Sequence, residues 1–438
     1  MTSNSKRDAP DKGAARKDAP KTAYVWIWLP EATSPVVACR IELDNGIYTF
    51  TYGRSYIDRK QAIPIYLPEL PLERGTIFPE PPLLMANCLR DGAPDAWGRR
   101  VIINRLTGKT GDDARDIEFD ELTFMLNSGS DRAGALDFQQ SSEVYAPREY
   151  VSATLEQLLE AAECVERGEP MPQDLDNALL HGSSIGGARP KALIDDGAKK
   201  FIAKFSATND TYSVVKAEFV AMRLAVRVGL NAAPVALQKA AGKDVLLVER
   251  FDRTRVKNGW RRRALVSALT LFGLDELQSR HAGYTDLADI IRARFTEPRA
   301  TLRELYARMV FNVLVGNTDD HARNQAAFWD GRHLALTPAY DICPQSRNNP
   351  EANQAIYISD QDRRSQLEIC RLAAPRFLLN DDEARVIING QVQTIREGWK
   401  AVCDEAGLSQ VDRAFLWRRQ ILNSYAFEDY AGGVPEGL

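Results

Sequence analysis

Two carboxylates and an amide stand out by type and spacing. Asp319 and Asn324 lie five residues apart in Val315–Gln325 (VGNTDDHARNQ), and Asp341 comes later in Thr337–Asp341 (TPAYD). One carboxylate can take the proton of an attacking hydroxyl. A second carboxylate and an amide oxygen can hold a divalent cation on neighbouring phosphates. That is the equipment of phosphoryl transfer. Asp320, His321 and Arg323 fill the same loop. Such polar density directly after the apolar run Val310–Val315 is costly unless the loop is solvated or functional.

Asp319 and Asn324 have the spacing of the catalytic-loop Asp and metal-binding Asn of protein kinases. D-x-x-x-x-N alone arises easily by chance, and a solvated helix end is its plain alternative. The residues after Asn324 narrow the choice. Gln325–Trp329 and Arg332–Leu336 are short apolar segments around Asp330-Gly331, a hairpin pattern, and Asp341 comes just after. Loop, hairpin and second carboxylate succeed one another in kinase order.

Upstream, His181–Ile194 (HGSSIGGARPKALI) runs from a Ser/Gly-rich turn into a strand. Glycines there can let backbone N–H groups face a phosphate, or simply make a flexible turn. Phe201–Phe205 (FIAKF) reads as the next strand and carries Lys204 among apolar neighbours. An ammonium so placed needs an anionic partner, and nucleotide phosphates are one candidate. Lys216–Gly229 reads as a helix with Glu218 in its first turn. Glu218 either pairs with Lys204 or is a first-turn acid favoured by the helix dipole.

These residues need a scaffold. Tyr24–Leu29, Val36–Leu43 and Ile47–Tyr52 read as strands, the last two joined by an Asp44-Asn45-Gly46 turn. Ile63–Pro82 is proline-rich and irregular. Asp95–Leu106 and Glu121–Asn127 read as helices, Arg132–Phe138 as a short strand, and Thr154–Glu166 as an amphipathic helix that breaks at Gly168–Gln173. Leu246–Val248 is a buried strand. After about Arg261 the pattern is mainly helical, with Leu302–Val315, Asp382–Glu397 and Gln410–Tyr425 at helical spacing. The expected division is a disordered tail over 1–22, a small α+β unit over 23–140, a nucleotide-binding lobe over 141–260 and a helical lobe over 261–438.

The 438 residues suit two or three subdomains. With 56 basic and 60 acidic residues the net charge is −4, so nucleic-acid contact would need a local patch or a partner. The six cysteines (Cys39, Cys88, Cys164, Cys343, Cys370, Cys403) and four histidines (His181, His281, His321, His333) are scattered, against a zinc site or disulfide framework. No apolar run approaches the roughly 20 residues that cross a bilayer, and the N-terminus lacks the apolar core of a secretory signal. A cytoplasmic protein is expected.

SSIGGARPKALI, FIAKF, LLVERFDR, GNTDDHARN and LTPAYDICP, in that order, resemble the HipA family, serine/threonine kinase toxins of bacterial type II toxin–antitoxin modules. DGAPDAWGRRVI and GSDRAGALDF extend the resemblance to the N-terminal unit. It implies an α+β, kinase-like bilobal fold of HipA type, related to the phosphatidylinositol 3/4-kinase-like fold, with a mixed α+β N-terminal part and an all-helical C-terminal lobe. It implies ATP and Mg²⁺ as cofactors. Asp319 would be the catalytic base, with His321 beside it in a positioning role. Asn324 and Asp341 would hold the metal. Ser184, Ile185, Gly186, Gly187 and Ala188 would form the loop over the nucleotide, and Lys204 would contact its phosphates. Glu249 and Phe251 would line the adenine at the linker, and Tyr340 would adjoin the nucleotide.

Ser184 matches the loop serine that such kinases autophosphorylate, which would switch the enzyme off. The implied partners are a HipB-like helix-turn-helix antitoxin, operator DNA through that antitoxin, and a protein substrate, usually an aminoacyl-tRNA synthetase. Phosphorylating it would stop translation and arrest growth. One departure is the stretch Arg263–Gly273 (RALVSALTLFG), which lacks the acidic element the family often carries after the linker. Two other functions fit the same residues: a kinase-like scaffold acting as co-repressor with its antitoxin, or a small-molecule phosphotransferase.

Overall fold

The structure, a computed structural model, describes residues 19–109, 114, 117–148, 153–169, 183–185, 187, 189–207 and 210–433. The tail expected over 1–22 therefore lies outside the described residues up to residue 18, as do His181, Gly186 and Ala188.

Strands β1 (Thr22–Ile27), β2 (Val36–Asp44), β3 (Ile47–Tyr52), β4 (Thr76–Ile77) and β5 (Leu136–Gln139) form an antiparallel sheet in the order β4-β3-β2-β1-β5. The β2–β3 turn works because Asn45 and Gly46 both take positive φ, 49° and 84°, which matches the twist of the flanking strands. The strand expected over Arg132–Phe138 starts only at Leu136. Its first residues turn inward instead, because the Arg132 side chain is needed in a buried ion network.

A second antiparallel sheet carries the lysine strand. Its members are β6 (Lys191–Asp195), β7 (Lys200–Phe205), β8 (Val235–Ala240) and β9 (Lys243–Glu249), in the order β6-β7-β9-β8. Helix Val214–Arg227 packs on β8 and β9. It begins two residues before the expected start, so Glu218 sits past the first turn and the dipole does not explain it. Trp97 and Val101 of helix Ala96–Thr107 and Leu158 and Ala162 of helix Leu155–Arg167 share a buried cluster with Ala203, Phe205 and Leu247.

Strands β10 (Arg253–Val256) and β11 (Gly259–Arg262) make a ribbon. Then β12 (Ala264–Ser267) pairs with the expected hairpin, β13 (Ala326–Trp329) and β14 (Leu334–Leu336). The C-terminal part is thus mainly helical but not all-helical: the segment after the linker supplies the strand that gives the hairpin an edge partner. Helix Pro298–Val315 runs through the centre, with Leu302, Leu305 and every residue from Arg308 to Val315 buried, the polar Arg308 and Asn312 among them. Gly316 ends it at φ 69°, where a Cβ would stand 2.5 Å from the Gln420 carbonyl oxygen. Helix Asp381–Glu405 is longer than expected, and a capping box at Asn380 and Glu383 fixes its start. The helix expected over Gln410–Tyr425 stops at Leu416. Arg418 and Leu422 take positive φ, and Leu422 N–H donates to Leu314 O at 2.7 Å, tying this turn to the central helix.

Charges join the N-terminal unit to the rest. The carboxylate of Asp131 meets Lys200 Nζ at 2.5 Å, Arg250 Nη1 at 3.1 Å and Arg253 Nη2 at 2.9 Å. Asp252 takes Arg250 Nη2 at 2.9 Å and the Gly134 N–H at 2.8 Å. Arg132, fully buried, pairs with Asp137 at 2.9 Å. Burial alone would raise Asp131, but the surrounding guanidinium groups hold its carboxyl well below the usual range. Asp131→Ala would leave three cations without it. The expected loss is about 3–5 kcal/mol of unfolding free energy in a denaturant titration; a loss within about 0.5 kcal/mol would reject the structural role.

A second network sits under the loop after the central helix. Asp320 is fully buried, accepts the Tyr284 hydroxyl at 2.7 Å and the Ala355 N–H at 3.1 Å, and Tyr284 in turn accepts from Asn312 Nδ2 at 2.9 Å. Burial pushes the Asp320 carboxyl up to about 7. Between its ordinary value of 3.8 and about 7 the folded chain therefore holds a proton that the unfolded chain releases, and stability falls as pH rises through that window. Unfolding measured at pH 4.5 and 7.5 should show Asp320→Asn gaining on the wild type at the higher pH. A difference between the two proteins that does not change with pH would contradict this.

Candidate functional site

Lys204, Glu218 and Asp341 come together, with Asp319 and Asn324 beside them. Lys204 projects from β7 among buried neighbours. Its Nζ donates to Glu218 Oε1 at 2.5 Å and to Asp341 Oδ1. Burial would lower this ammonium, but the Asp341 and Glu218 carboxylates outweigh it and hold it well above its ordinary value. Glu218 is pushed up by burial and pulled back by Lys204. Burial acts upward on Asp341 too, yet Lys204 wins and its carboxyl titrates at about 2. Asp341 sits at φ 59°, a left-handed conformation that Asp tolerates better than most residues. Its side chain stays 38% exposed while that of Glu218 is 4% exposed. So Glu218 is the inner brace of the lysine and Asp341 the accessible face.

The loop brings Asp319 and Asn324 to the same place. Asp319 is exposed while its neighbour Asp320 points into the core. Asn324 Nδ2 donates to the Asp319 carbonyl at 2.9 Å, which reserves the amide oxygen for another partner. Partial desolvation raises the Asp319 carboxyl although the residue is exposed, His321 eases it and Asp341 raises it again, so the two carboxylates sense each other. His321 closes the turn, its N–H donating to Asp319 O at 2.9 Å and its carbonyl accepting from Asn324 N–H at 2.8 Å. Among the described residues its buried Nδ1 has no hydrogen-bond partner.

The donor set is all oxygen: the Asp319 and Asp341 carboxylates and the Asn324 amide. That suits a hard cation such as Mg²⁺, which takes one or two carboxylates and completes its shell with water and phosphate oxygens. Among the described residues no cluster of three His, Cys, Asp or Glu side chains forms a protein-only metal cage.

Tyr340 donates its hydroxyl to Arg323 O at 2.6 Å, and its ring lies 5.6 Å from Phe251, which meets Phe328 at 5.8 Å. Glu249 ends β9. Its carboxylate pairs with Lys199 at 2.6 Å and its N–H donates to Pro234 O at 2.9 Å, so that donor is engaged and the linker offers its carbonyls and the Phe251 end. Ser184 and Ile185 are buried, and Gly187 is exposed at φ 114°. The neighbouring carbonyl of Ser183 crowds Gly98, where a Cβ would come within 1.9 Å, so the turn lies against helix Ala96–Thr107.

Several functional contacts have no local sequence signal. Asp91, in the segment before helix Ala96–Thr107, accepts Ser267 Oγ at 2.7 Å, Thr270 Oγ1 at 2.7 Å and Arg323 Nη1 at 3.4 Å. A carboxylate from far upstream thus meets Arg263–Gly273 at Ser267 and Thr270. Arg323 also donates through Nε to Glu276 at 3.0 Å. DGAPDAWG is a visible motif, but its partners lie about 90 to 230 positions away, beyond the reach of spacing arguments.

The chain is similar to known proteins in both sequence and fold. Residues 33–139 match the HipA N-terminal domain and residues 183–399 the HipA-like C-terminal domain. The Shewanella oneidensis serine/threonine-protein kinase toxin HipA is 26% identical over 235 residues, 46% of this chain and 54% of that protein. The Sinorhizobium fredii protein Y4mE is 30% identical over 146 residues, 32% of this chain and 33% of its own length. The chain therefore spans about a third to a half of these relatives in alignment. The structure of Shewanella oneidensis HipA with HipB and operator DNA shares the fold, with TM-score 0.65, 18% identity, and coverage of 88% of this chain and 93% of that one. With both domain models matched in order over most of its length, the chain belongs to the HipA family.

Proposed function

We propose that the chain is an ATP- and Mg²⁺-dependent serine/threonine protein kinase, the toxin of a HipA/HipB-type toxin–antitoxin module. The carrying observation is the Lys204 ammonium held between Glu218 and Asp341, with Asp319 and Asn324 on the adjoining loop. A lysine braced by one buried carboxylate and shared with an accessible one is poised to exchange the latter for phosphate oxygens.

On this reading residues 23–140, 141–260 and 261–438 are the three working parts. Asp319, exposed and raised above an ordinary carboxyl, orients the substrate hydroxyl and accepts its proton. His321 positions that loop. Asn324 and Asp341 are the residues that would hold Mg²⁺, which when bound neutralises charge on the transferring phosphate. Phe251 and Tyr340 give an aromatic wall for adenine beside the Glu249 linker. Gly186 and Ala188, outside the described residues, complete the phosphate loop with Ile185 and Gly187. Ser184 is the autophosphorylation site. It is 1% exposed, so modification requires the loop to leave its seat, and a phosphate there would keep it out.

The likeness in fold to the HipA–HipB–operator complex supports a helix-turn-helix antitoxin as partner, with DNA contact through it, and the net charge of −4 agrees. An aminoacyl-tRNA synthetase is the protein substrate we infer, with growth arrest in the cytoplasm as the outcome. Among the described residues no helix is long and apolar enough to cross a membrane.

Purified protein incubated with labelled ATP and Mg²⁺ should transfer phosphate to itself and to a synthetase. Asp319→Asn and Lys204→Met should each lower the rate by about 10²–10⁴-fold with the unfolding midpoint of Asp319→Asn little changed. No incorporation by the wild type would favour a co-repressor scaffold. Label found only on a metabolite would favour a small-molecule phosphotransferase. Either result would reject the protein-kinase reading.

A further inference from the structure

A cleft of about 570 Å³ opens between the N-terminal unit and the segment that follows helix Ala268–Phe272. Tyr48, Leu83, Leu84, Met85 and Phe119 line it from the first side and Leu277 from the second. Two of these leucines stand out in water: Leu277 is 83% exposed and Leu84 61%. The backbone that presents them is fixed. The Tyr48 N–H donates to Leu84 O at 2.8 Å, and Asp275 accepts the Gln278 N–H at 2.7 Å, closing a turn around Leu277. Large apolar side chains held out on both edges of one concavity mark a surface that packs against something else.

The rim is acidic. Asp120 and Glu121 stand on one side and Asp275 and Glu276 on the other, against the guanidinium of Arg90. Glu121 is engaged by Arg99 at 2.6 Å, and Glu276 by Arg323 Nε at 3.0 Å. Asp120 and Asp275 cap turns, Asp120 accepting the Thr123 N–H at 2.9 Å, and among the described residues neither has an ion-pair partner. The charge left over on the rim is therefore negative. Glu276 ties the cleft to the chemistry, because Arg323 belongs to the loop between Asp319 and Asn324. Burial acts upward on Glu276, but Arg323 and Arg90 hold its carboxyl below the ordinary range, and His321 adds to the effect. The same His321 acts on Asp319 and Asp341. The acidic wall thus adjoins the carboxylate assigned as catalytic base.

We propose that this cleft docks the protein substrate, through a segment that carries a bulky apolar side chain beside lysine or arginine, near the hydroxyl to be phosphorylated. This rests on the kinase reading. The apolar side chain packs between Leu84 and Leu277, and the cation faces Asp120 and Asp275. Apolar burial supplies most of the affinity, since exposed ion pairs contribute little each, while the rim charge rejects acidic segments. The N-terminal unit thereby becomes part of substrate selection.

Fluorescence anisotropy of the full chain with short labelled peptides tests this without ATP. Each peptide holds one serine, set among leucines and arginines, leucines and glutamates, or glycines and arginines. The leucine–arginine peptide should bind about tenfold or more tighter than either of the others. Leu277→Ser should weaken it by about tenfold, and Asp275→Asn, which keeps an acceptor for the Gln278 N–H, by about threefold, both with the unfolding midpoint unchanged. Equal binding of the three peptides, or no loss in either variant, would overturn the proposal. So would self-association of the wild type that Leu277→Ser abolishes while no peptide binds, which would give this face to a second copy of the chain. Labelled Mg·ATP, added afterwards, separates the two readings. Phosphate on the chain without peptide selectivity would overturn the docking proposal alone. Selective, variant-sensitive peptide binding with no phosphate on peptide or chain would overturn the kinase reading and leave the cleft as a docking surface.

Discussion

One ammonium organises this molecule. Lys204 must leave water to reach the sheet interior, and a buried unpaired charge is among the most costly features a fold can carry. Glu218 and Asp341 make its position tenable, and they come from opposite sides of the site: a helix that packs on the same sheet and a turn that comes after the hairpin. The lysine is therefore also the tie between the strand-rich half and the helical half. Because Asp341 is the more exposed of its two partners, that tie is the one a ligand can take over.

The N-terminal unit is built into this arrangement rather than appended to it. Asp131 and Asp252 interlock GSDRAGALDF with LLVERFDR through buried guanidinium groups. Asp91 reaches the loop through Arg323 and the β12 turn through Ser267 and Thr270. Breaking any one of these buried pairs strands its partner, so the unit and the loop are constrained to move together. The short acidic segment Asp91–Asp95 accordingly faces both the loop side and the glycine-rich side of the site.

Much of this was legible in the residues. The Asp44-Asn45-Gly46 turn located β2 and β3, and the D-G hairpin after Asn324 located β13 and β14. The five-residue step from Asp319 to Asn324 picked out the exposed carboxylate of the Asp319-Asp320 pair. What was not legible depends on distant partners. Nothing near Glu218 distinguishes a dipole acid from a lysine brace; the difference lies in where the helix begins and what β7 presents. Asp320 looks as solvated as Asp319 until Tyr284 and Ala355 are brought against it. Arg132 reads as a strand residue because its buried role is set by Asp137 and by backbone carbonyls. The turn after Leu416 is tied through Leu422 to Leu314, about a hundred residues earlier.

If Asp319, Asn324, Asp341 and Lys204 surround one metal–nucleotide site, a crystal structure with a non-hydrolysable ATP analogue and Mn²⁺, read by anomalous scattering, will show it. The expected result is a manganese peak ligated by Asn324 and Asp341, with Lys204 released from Asp341 onto phosphate oxygens and still braced by Glu218. Manganese bound elsewhere, or an analogue bound while Lys204 stays clasped to Asp341, would contradict it.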